Sequence, residues 1–492
     1  MNLASIVDGH WEGAPALVTD EDVISYGALR SQVVHARGVL TGGGMARGDR
    51  VGLVCGTTPL FVVTYLAVLS AGGVAVPLNP SSPPAEMARH LDIAGVGLAI
   101  GDSEAMEKLS DVAGNCPSLQ SVVNGSERLQ APGVPDVPSV EAVEVATGDA
   151  ALLVFTAGTA GPSKAATLTH GNLLANLAQL AADERTTLRS DDVTLVEVPL
   201  FHIFGLNVVV DMTLYCGARV VLGERFDPAG SLARIRRHGV TVLAGVPPMI
   251  AAWSAAAGPR ADELASVRQV ISGAAPLNPE IARTFAATFG LPVHQGYGLT
   301  EAAPVVTTTA LCAQVKLGSV GLPLPGIEIR VVDADGAEAL AGDPGEIWVR
   351  GENVFAGYWA DEEATKAVLD PDGWLRTGDI GVRDDDGELF VVDRTKDLII
   401  VSGFNVFPAE VEDVIAGHPA VADVAVVGAP NVLTGEEVRA KVVLRPDAQA
   451  SAEEIDRFCR ERLAGYKCPA DIEIVGALAR GLAGKILRRT LR

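Results

Sequence analysis

The residues with the most evident chemistry lie in one short segment, Phe155 to His170, which reads FTAGTAGPSKAATLTH. Thr156, Thr159 and Ser163 offer hydroxyl donors, Lys164 an ammonium, and Gly158 and Gly161 a backbone free to turn with positive φ and to approach a ligand closely. That set suits the oxygens of a polyphosphate. The same composition also makes an ordinary surface turn, and it does not match the P-loop pattern, because no lysine followed by Ser or Thr comes after a second glycine at the required spacing. Three further sites carry reactive groups. In Gln295-Gly296-Tyr297-Gly298-Leu299-Thr300-Glu301, a ring suited to stacking on a base precedes a carboxylate suited to Mg²⁺, although this motif taken alone slightly favours a buried tyrosine followed by a helix-capping Thr-Glu pair. In Gly373-Trp374-Leu375-Arg376-Thr377-Gly378-Asp379, an aspartate after a glycine can accept both hydroxyls of a ribose. Lys485 stands near the end in a Gly-Lys pair.

The elements that must position these groups follow from the apolar pattern. Short Val/Ile/Leu runs at 50–55, 74–78, 151–155, 193–198, 219–222, 241–244 and 269–272 alternate with Ala/Leu/Arg-rich helical stretches, the rhythm of an α/β protein with helices on both faces of a largely parallel sheet. Residue 151–155 is expected to lead through the polar loop to a helix opening at Thr169. From about Gly326, runs at 327–332, 345–350 and 388–392 separated by Asp/Gly turns predict a small antiparallel, barrel-like β region. A charged cluster, Asp393 to Asp397, precedes about one hundred residues patterned as an independent α+β domain.

Composition narrows the function classes. With 492 residues, 48% hydrophobic and 20% charged, the chain can bury several cores. Its 61 acidic and 38 basic residues leave a net charge of −23, which repels nucleic acid and anionic lipid. Six scattered cysteines without a C-x-x-C pair, and a start lacking a basic and apolar leader, point to a cytoplasmic protein with reduced thiols. Residues 51–85 contain no charge, yet Gly56, Pro59, Gly72, Gly73 and Pro77 divide them into strand, helix and strand, so no membrane span is expected.

In this order the segments resemble the adenylate-forming superfamily of acyl-CoA synthetases, aryl-CoA ligases, luciferases and peptide-synthetase adenylation domains. The resemblance covers nearly the whole chain and is closest in look to fatty-acid-CoA ligases. It implies a large N-terminal domain of layered α/β sheets with the β-barrel-like region (1–393), a hinge (394–396) and a small mobile α+β domain (397–492). It further implies that Thr156, Gly158, Thr159, Gly161, Ser163 and Lys164 hold the ATP phosphates. Gly273, Ala274, Ala275 and Pro276 would lie with Tyr297 against adenine, and Asp379 with Arg394 would hold the ribose. Thr300 would touch the α-phosphate, Glu301 would bind Mg²⁺, and His202, beside Phe201, would border the acyl pocket. Lys485 would bridge the carboxylate and the α-phosphate, Lys396 would be the hinge, and Gly403 would leave room for the thiol arm. Departures from the family pattern are Ala157 and Ala160 where hydroxyl residues are usual, Ser163 where a proline is usual, a terminal motif that keeps Arg480, Gly484 and Lys485 but little else, and Ala470 where CoA-using relatives carry a basic residue.

The implied reaction is ATP-dependent conversion of a carboxylic acid to acyl-AMP and transfer to the thiol of CoA, with ATP, Mg²⁺ and CoA as cofactors. The neutral surroundings Phe201, Ile203, Phe204, Leu206, Val208, Val246 and Met249 favour a fatty or other apolar acid over a dicarboxylate or amino acid. Transfer to the phosphopantetheine of an acyl carrier protein is the alternative acceptor, and a homodimer is compatible with the chain. Competing readings are a nucleotide-binding pseudoenzyme with a weakened phosphate loop, and a luciferase-like oxidase. A nicotinamide dehydrogenase lacks its G-x-G-x-x-G fingerprint here.

Overall fold

The computed structural model of the protein describes residues 1–129, 139–156, 163–257, 261–394, 399–401, 404–406, 408–431, 435–446, 448–463, 465–480, 486 and 491. The chain packs as two compact units, Met1–Glu328 with Val349–Leu375, and Ile329–Trp348 with Arg376–Arg492.

The first unit contains two sheets. One runs, in spatial order, Gly357–Tyr358, Lys164–Thr169, Ala150–Thr156, Val74–Pro77, Arg50–Val54, Leu98–Gly101 and Ser121–Asn124. Its pairings from Ala150–Thr156 onward are parallel, and the first two are antiparallel. The other runs Leu322–Pro323, Val305–Thr308, His294–Gly298, Gln269–Ser272, Val242–Gly245, Val193–Val196, Arg219–Leu222, Pro15–Val18 and Val23–Ser25. Six strands at its centre are parallel and its edges antiparallel. Strands such as Val74–Pro77, Val193–Val196 and Val242–Gly245 are buried at every position, which explains why their sequences are apolar throughout instead of alternating. The uncharged stretch forms strand, helix and strand as expected. Its helix, Pro59–Ser70, opens on a proline at the first turn and is buried from Leu60 to Ser70. Among the described residues no helix is long and apolar enough to cross a membrane.

Two local elements differ from the sequence expectation. The polar loop does not lead into a helix: a strand, Lys164–Thr169, folds back on Ala150–Thr156 first, and the helix begins at His170. Thr169 caps that helix in a reciprocal box with Asn172, an arrangement that contributes about 1 kcal/mol. The second difference is a π-helix, Phe204–Asp211. It is pinned by Asn207 Nδ2 donating to the Ala303 carbonyl at 2.7 Å and by Tyr65 Oη donating to Asp211 Oδ2 at 3.0 Å, both buried.

The second unit holds most of a four-stranded sheet, Glu328–Val332, Pro344–Arg350, Leu375–Arg383 and Leu389–Arg394, of which Glu328, Val349, Arg350 and Leu375 belong to the first unit. It also holds a five-stranded sheet made of Ile399–Val401, Phe404–Val406, Val421–Asn431, Gly435–Leu444 and Asp471–Ile474. The core of the latter is built by Val411 and Ile415 of the helix Pro408–Ala416 and Ile455 and Cys459 of Ala452–Arg460 against Val424, Val426, Ala440 and Val442.

Candidate active site

Antiparallel pairing sets Thr156 opposite Lys164 at the last pair before the connection of a hairpin, with Thr156 Oγ1 donating to the Lys164 carbonyl at 3.4 Å. Phe155, in the adjoining pair with Ala165, stacks on His90 with ring centroids 4.1 Å apart, and burial lowers the His90 pKa to about 4, so the imidazole is neutral. Ser163 is half-buried beside Lys164. Gly158, Thr159 and Gly161, with Ala157 and Ala160, lie outside the described residues.

A second segment straps the hairpin. Gly357–Tyr358 pairs with Lys164–Thr169, placing Tyr358 opposite Ala166, while Ala356 N donates to the Thr167 carbonyl and Trp359 N to that of Ala165. The Lys164 ammonium sits 5.2 Å from the centre of the Tyr358 ring and 3.9 Å from Asp361 Oδ2. Tyr358 Oη donates to Glu301 Oε1 at 2.8 Å. Burial first, and then the Glu301 carboxylate, raise the phenol pKa well above its ordinary value, which keeps the tyrosine a donor. Lys164 and Glu301, far apart in sequence, therefore meet on one side chain.

The remaining candidates of this unit stand at carboxyl ends of parallel strands. Val193–Val196 leads to Phe201 and His202, whose rings lie 6.0 Å apart. Val242–Gly245 leads to Val246 and Met249, and Gln269–Ser272 leads to Gly273, Ala274, Ala275 and Pro276. From Val193–Val196 the chain passes to Arg219–Leu222 on one side, and from Val242–Gly245 it moves away on the other. That reversal opens the crevice in which ligands of open α/β sheets bind. Ala274 has φ +66°, a left-handed conformation costly for alanine and a mark of functional segments. A Cβ at Gly273 would stand 2.9 Å from the Phe204 ring, so any larger residue there requires that ring to shift. Tyr297 lies in His294–Gly298, the next strand, and Thr300 and Glu301 on the 3-10 turn Thr300–Ala302 that follows. Ile203, Phe204, Leu206 and Met249 are buried and Val208 and Val246 half-buried, so this end of the sheet is apolar. Behind Val208 an apolar cavity of about 30 Å³ is bounded by Leu180, Leu188, Met212 and Val242.

In the second unit, Asp379 and Arg394 are cross-strand partners of the four-stranded sheet. Gly378, at φ +70°, delivers Asp379; its N–H donates to Glu346 Oε1 at 3.1 Å, and Thr377 Oγ1 accepts from Asp379 N. Lys396, Gly403 and Lys485 lie outside the described residues.

Sequence reasoning missed Tyr358 and Asp361. Both belong to a segment whose two-residue strand is too short to show alternation. The donor set suits Mg²⁺ of the nucleotide-borne kind. Among the described residues no group of three or more His, Cys, Asp or Glu could cage an ion, and Glu301 supplies a single carboxylate, as in sites completed by substrate phosphates.

Known proteins share this architecture. Residues 7–359 match the family described as AMP-binding enzyme and residues 410–485 the AMP-binding enzyme C-terminal domain. The chain is 35% identical to 4-coumarate–CoA ligase 5 of Oryza sativa subsp. japonica, over 96% of this chain and 89% of that protein. It is 33% identical to the long-chain-fatty-acid–CoA ligase of Yersinia pestis, over 97% and 91%. The crystal structure of ATP-bound MatB from Rhodopseudomonas palustris superimposes with a TM-score of 0.93 at 31% identity, covering 100% of this chain and 98% of that one.

Proposed function

The chain belongs to the AMP-binding enzyme family and is an acid–thiol ligase of the adenylate-forming superfamily, and on that premise we propose that it activates a fatty or other apolar carboxylic acid as acyl-AMP and passes the acyl group to CoA. A carboxylate resists thiols because oxide is a poor leaving group. Attack of its oxygen on the α-phosphorus of ATP breaks the bond to the β-phosphate, releases pyrophosphate and leaves AMP as a competent leaving group. The thiolate sulfur then attacks the acyl carbon and breaks its bond to AMP. Catalysis of the first step rests on positioning and on cations that neutralise developing charge.

The observation that carries this reading is the meeting of Lys164 and Glu301 on Tyr358, which joins the phosphate-type hairpin to the turn after the Tyr297 strand. Lys164, Thr156 and Ser163, with Thr159, hold the β- and γ-phosphates, and Thr300 holds the α-phosphate. Glu301 would hold Mg²⁺, which supplies charge neutralisation on the phosphate oxygens when bound. The Gly273–Pro276 segment and Tyr297 flank adenine, Asp379 and Arg394 bind ribose, and His202 borders the acid. Lys485 serves the first step and withdraws for the second by rotation about Lys396, with Gly403 beside the thiol. The apolar crevice mouth supports an apolar acid, and relatives named for coumarate and for long-chain fatty acids keep both aromatic and aliphatic classes in the proposal. Ala470, exposed where CoA-using relatives carry a base, supports a second acceptor, carrier-protein phosphopantetheine.

The test is acid-dependent pyrophosphate release over a panel of aromatic, fatty and amino acids, followed by thioester formation on CoA or on carrier protein. Apolar acids are expected to support release; release with amino acids alone would refute the substrate class.

A further inference from the structure

Tyr358 has no role in the function as derived so far, yet it is the side chain on which two proposed ATP-site groups converge. Its backbone is fixed from several directions. Tyr358 N donates to Thr365 Oγ1 at 2.9 Å, and that hydroxyl donates to the Asp361 carbonyl at 2.8 Å. Gly357, at φ +127°, admits the turn, and a Cβ there would meet Thr365 at 2.6 Å. Phe355 packs edge-on against the ring at 5.0 Å, and Phe355 N donates to the Glu301 carbonyl at 2.9 Å, so the segment holds the backbone of Glu301 as well as its side chain. Because Tyr358 faces Ala166 in the ladder, Lys164 is its diagonal neighbour, within reach of a long side chain.

The chemistry of this arrangement is specific. An ammonium and a carboxylate brought together in a half-buried site tend to pair with each other, which would occupy both. The tyrosine touches both: its ring face seats the Lys164 cation, which among the described residues keeps only the longer 3.9 Å contact to Asp361 Oδ2, and its hydroxyl donates to Glu301 Oε1. We propose that Tyr358 is a positioning residue that keeps Lys164 available to phosphate and Glu301 oriented toward a phosphate-bound Mg²⁺. This rests on the reading of the site given above.

The experiment compares wild type with Tyr358→Phe, which keeps the ring and loses the hydroxyl, and Tyr358→Ala, which loses both. ATP binding is titrated against free Mg²⁺ by calorimetry, and the kinetics of acid-dependent pyrophosphate release are measured at each Mg²⁺ level. In Tyr358→Phe, half-saturating Mg²⁺ is expected to rise about tenfold, with kcat at saturating Mg²⁺ restored to within about threefold of wild type. In Tyr358→Ala, ATP affinity without Mg²⁺ is expected to fall as well, by about tenfold, and added Mg²⁺ leaves that loss in place. Unchanged Mg²⁺ dependence in both variants, or an equal loss of kcat at every Mg²⁺ concentration, overturns the proposal while leaving the ligase reading intact. Wild type that neither binds ATP nor releases pyrophosphate overturns both.

Discussion

Glu301 is the one acidic side chain of the Thr300–Ala302 turn, and its 2.8 Å bond from Tyr358 fixes where its carboxylate points. Glu301→Gln keeps an acceptor for that hydroxyl but loses the charge, so pyrophosphate release is expected to fall roughly 10²-fold while the melting temperature stays near wild type. Steady-state kinetics over a Mg²⁺ series with a thermal melt check this, and retained activity would remove Glu301 from the metal role. Two hydroxyls usual in the family are replaced by Ala157 and Ala160. Restoring them together, as Ala157→Ser with Ala160→Thr, is expected to lower the KM for ATP by about tenfold, in line with one charge-assisted hydrogen bond. An unchanged KM would show that other groups already satisfy the phosphates. The sequence offered Thr156, Ser163, Lys164, Thr300 and Glu301 as candidates, because polar and glycine residues stand out against an apolar background. Tyr358 and Asp361 were hidden, because they reach Lys164 only through pairing between strands nearly two hundred residues apart.

The π-helix Phe204–Asp211 is the element least legible beforehand, since an i to i+5 register leaves no periodic mark in an apolar run. The strand Lys164–Thr169 was hidden for a related reason: Lys-Ala-Ala has little β preference, and the ladder is supplied by its neighbours. Parallel strands buried at every position, such as Val74–Pro77, Val193–Val196 and Val242–Gly245, were legible to within a residue or two, whereas Leu98–Gly101, Ser121–Asn124, Pro15–Val18 and His294–Gly298 were not among those expected. Asp211 ends the π-helix fully buried, and among the described residues only Tyr65 bonds its carboxyl. Burial raises its pKa to about 8, with the Tyr65 bond acting in the opposite direction. Between the ordinary carboxylate range and that value the native state keeps a proton that the unfolded chain releases. The contribution to stability is thus complete below the unfolded pKa and is lost as pH rises through the folded one. Asp211→Asn should remove this dependence, so from about pH 5 to about pH 8 the melting temperature of wild type is expected to fall more than that of the variant. Parallel curves would show that Asp211 is ionised in the native state. Gly273→Ala tests the neighbouring packing. Its methyl meets the Phe204 ring, and a loss of about 1 to 3 kcal/mol in denaturant unfolding is expected.

Across the whole molecule, alternating strands and helices gave the class and layering, whereas sheet order required the structure: Pro15–Val18 and Val23–Ser25 join a sheet otherwise built from residues beyond 190, and Gly357–Tyr358 closes one built from residues before 170. Long-range pairing is set by tertiary burial and leaves no local trace. The proposed two-step reaction assigns opposite needs to one lysine, and Lys485→Ala separates them. Following both half-reactions in that variant tests adenylation and thiol transfer together: pyrophosphate release from apolar acid and ATP should fall at least about 10²-fold, with thioester formation from supplied acyl-AMP and CoA within about threefold of wild type. Equal loss of the two steps, or wild-type turnover that yields ADP and phosphate in place of AMP and pyrophosphate, would contradict the two-step reaction.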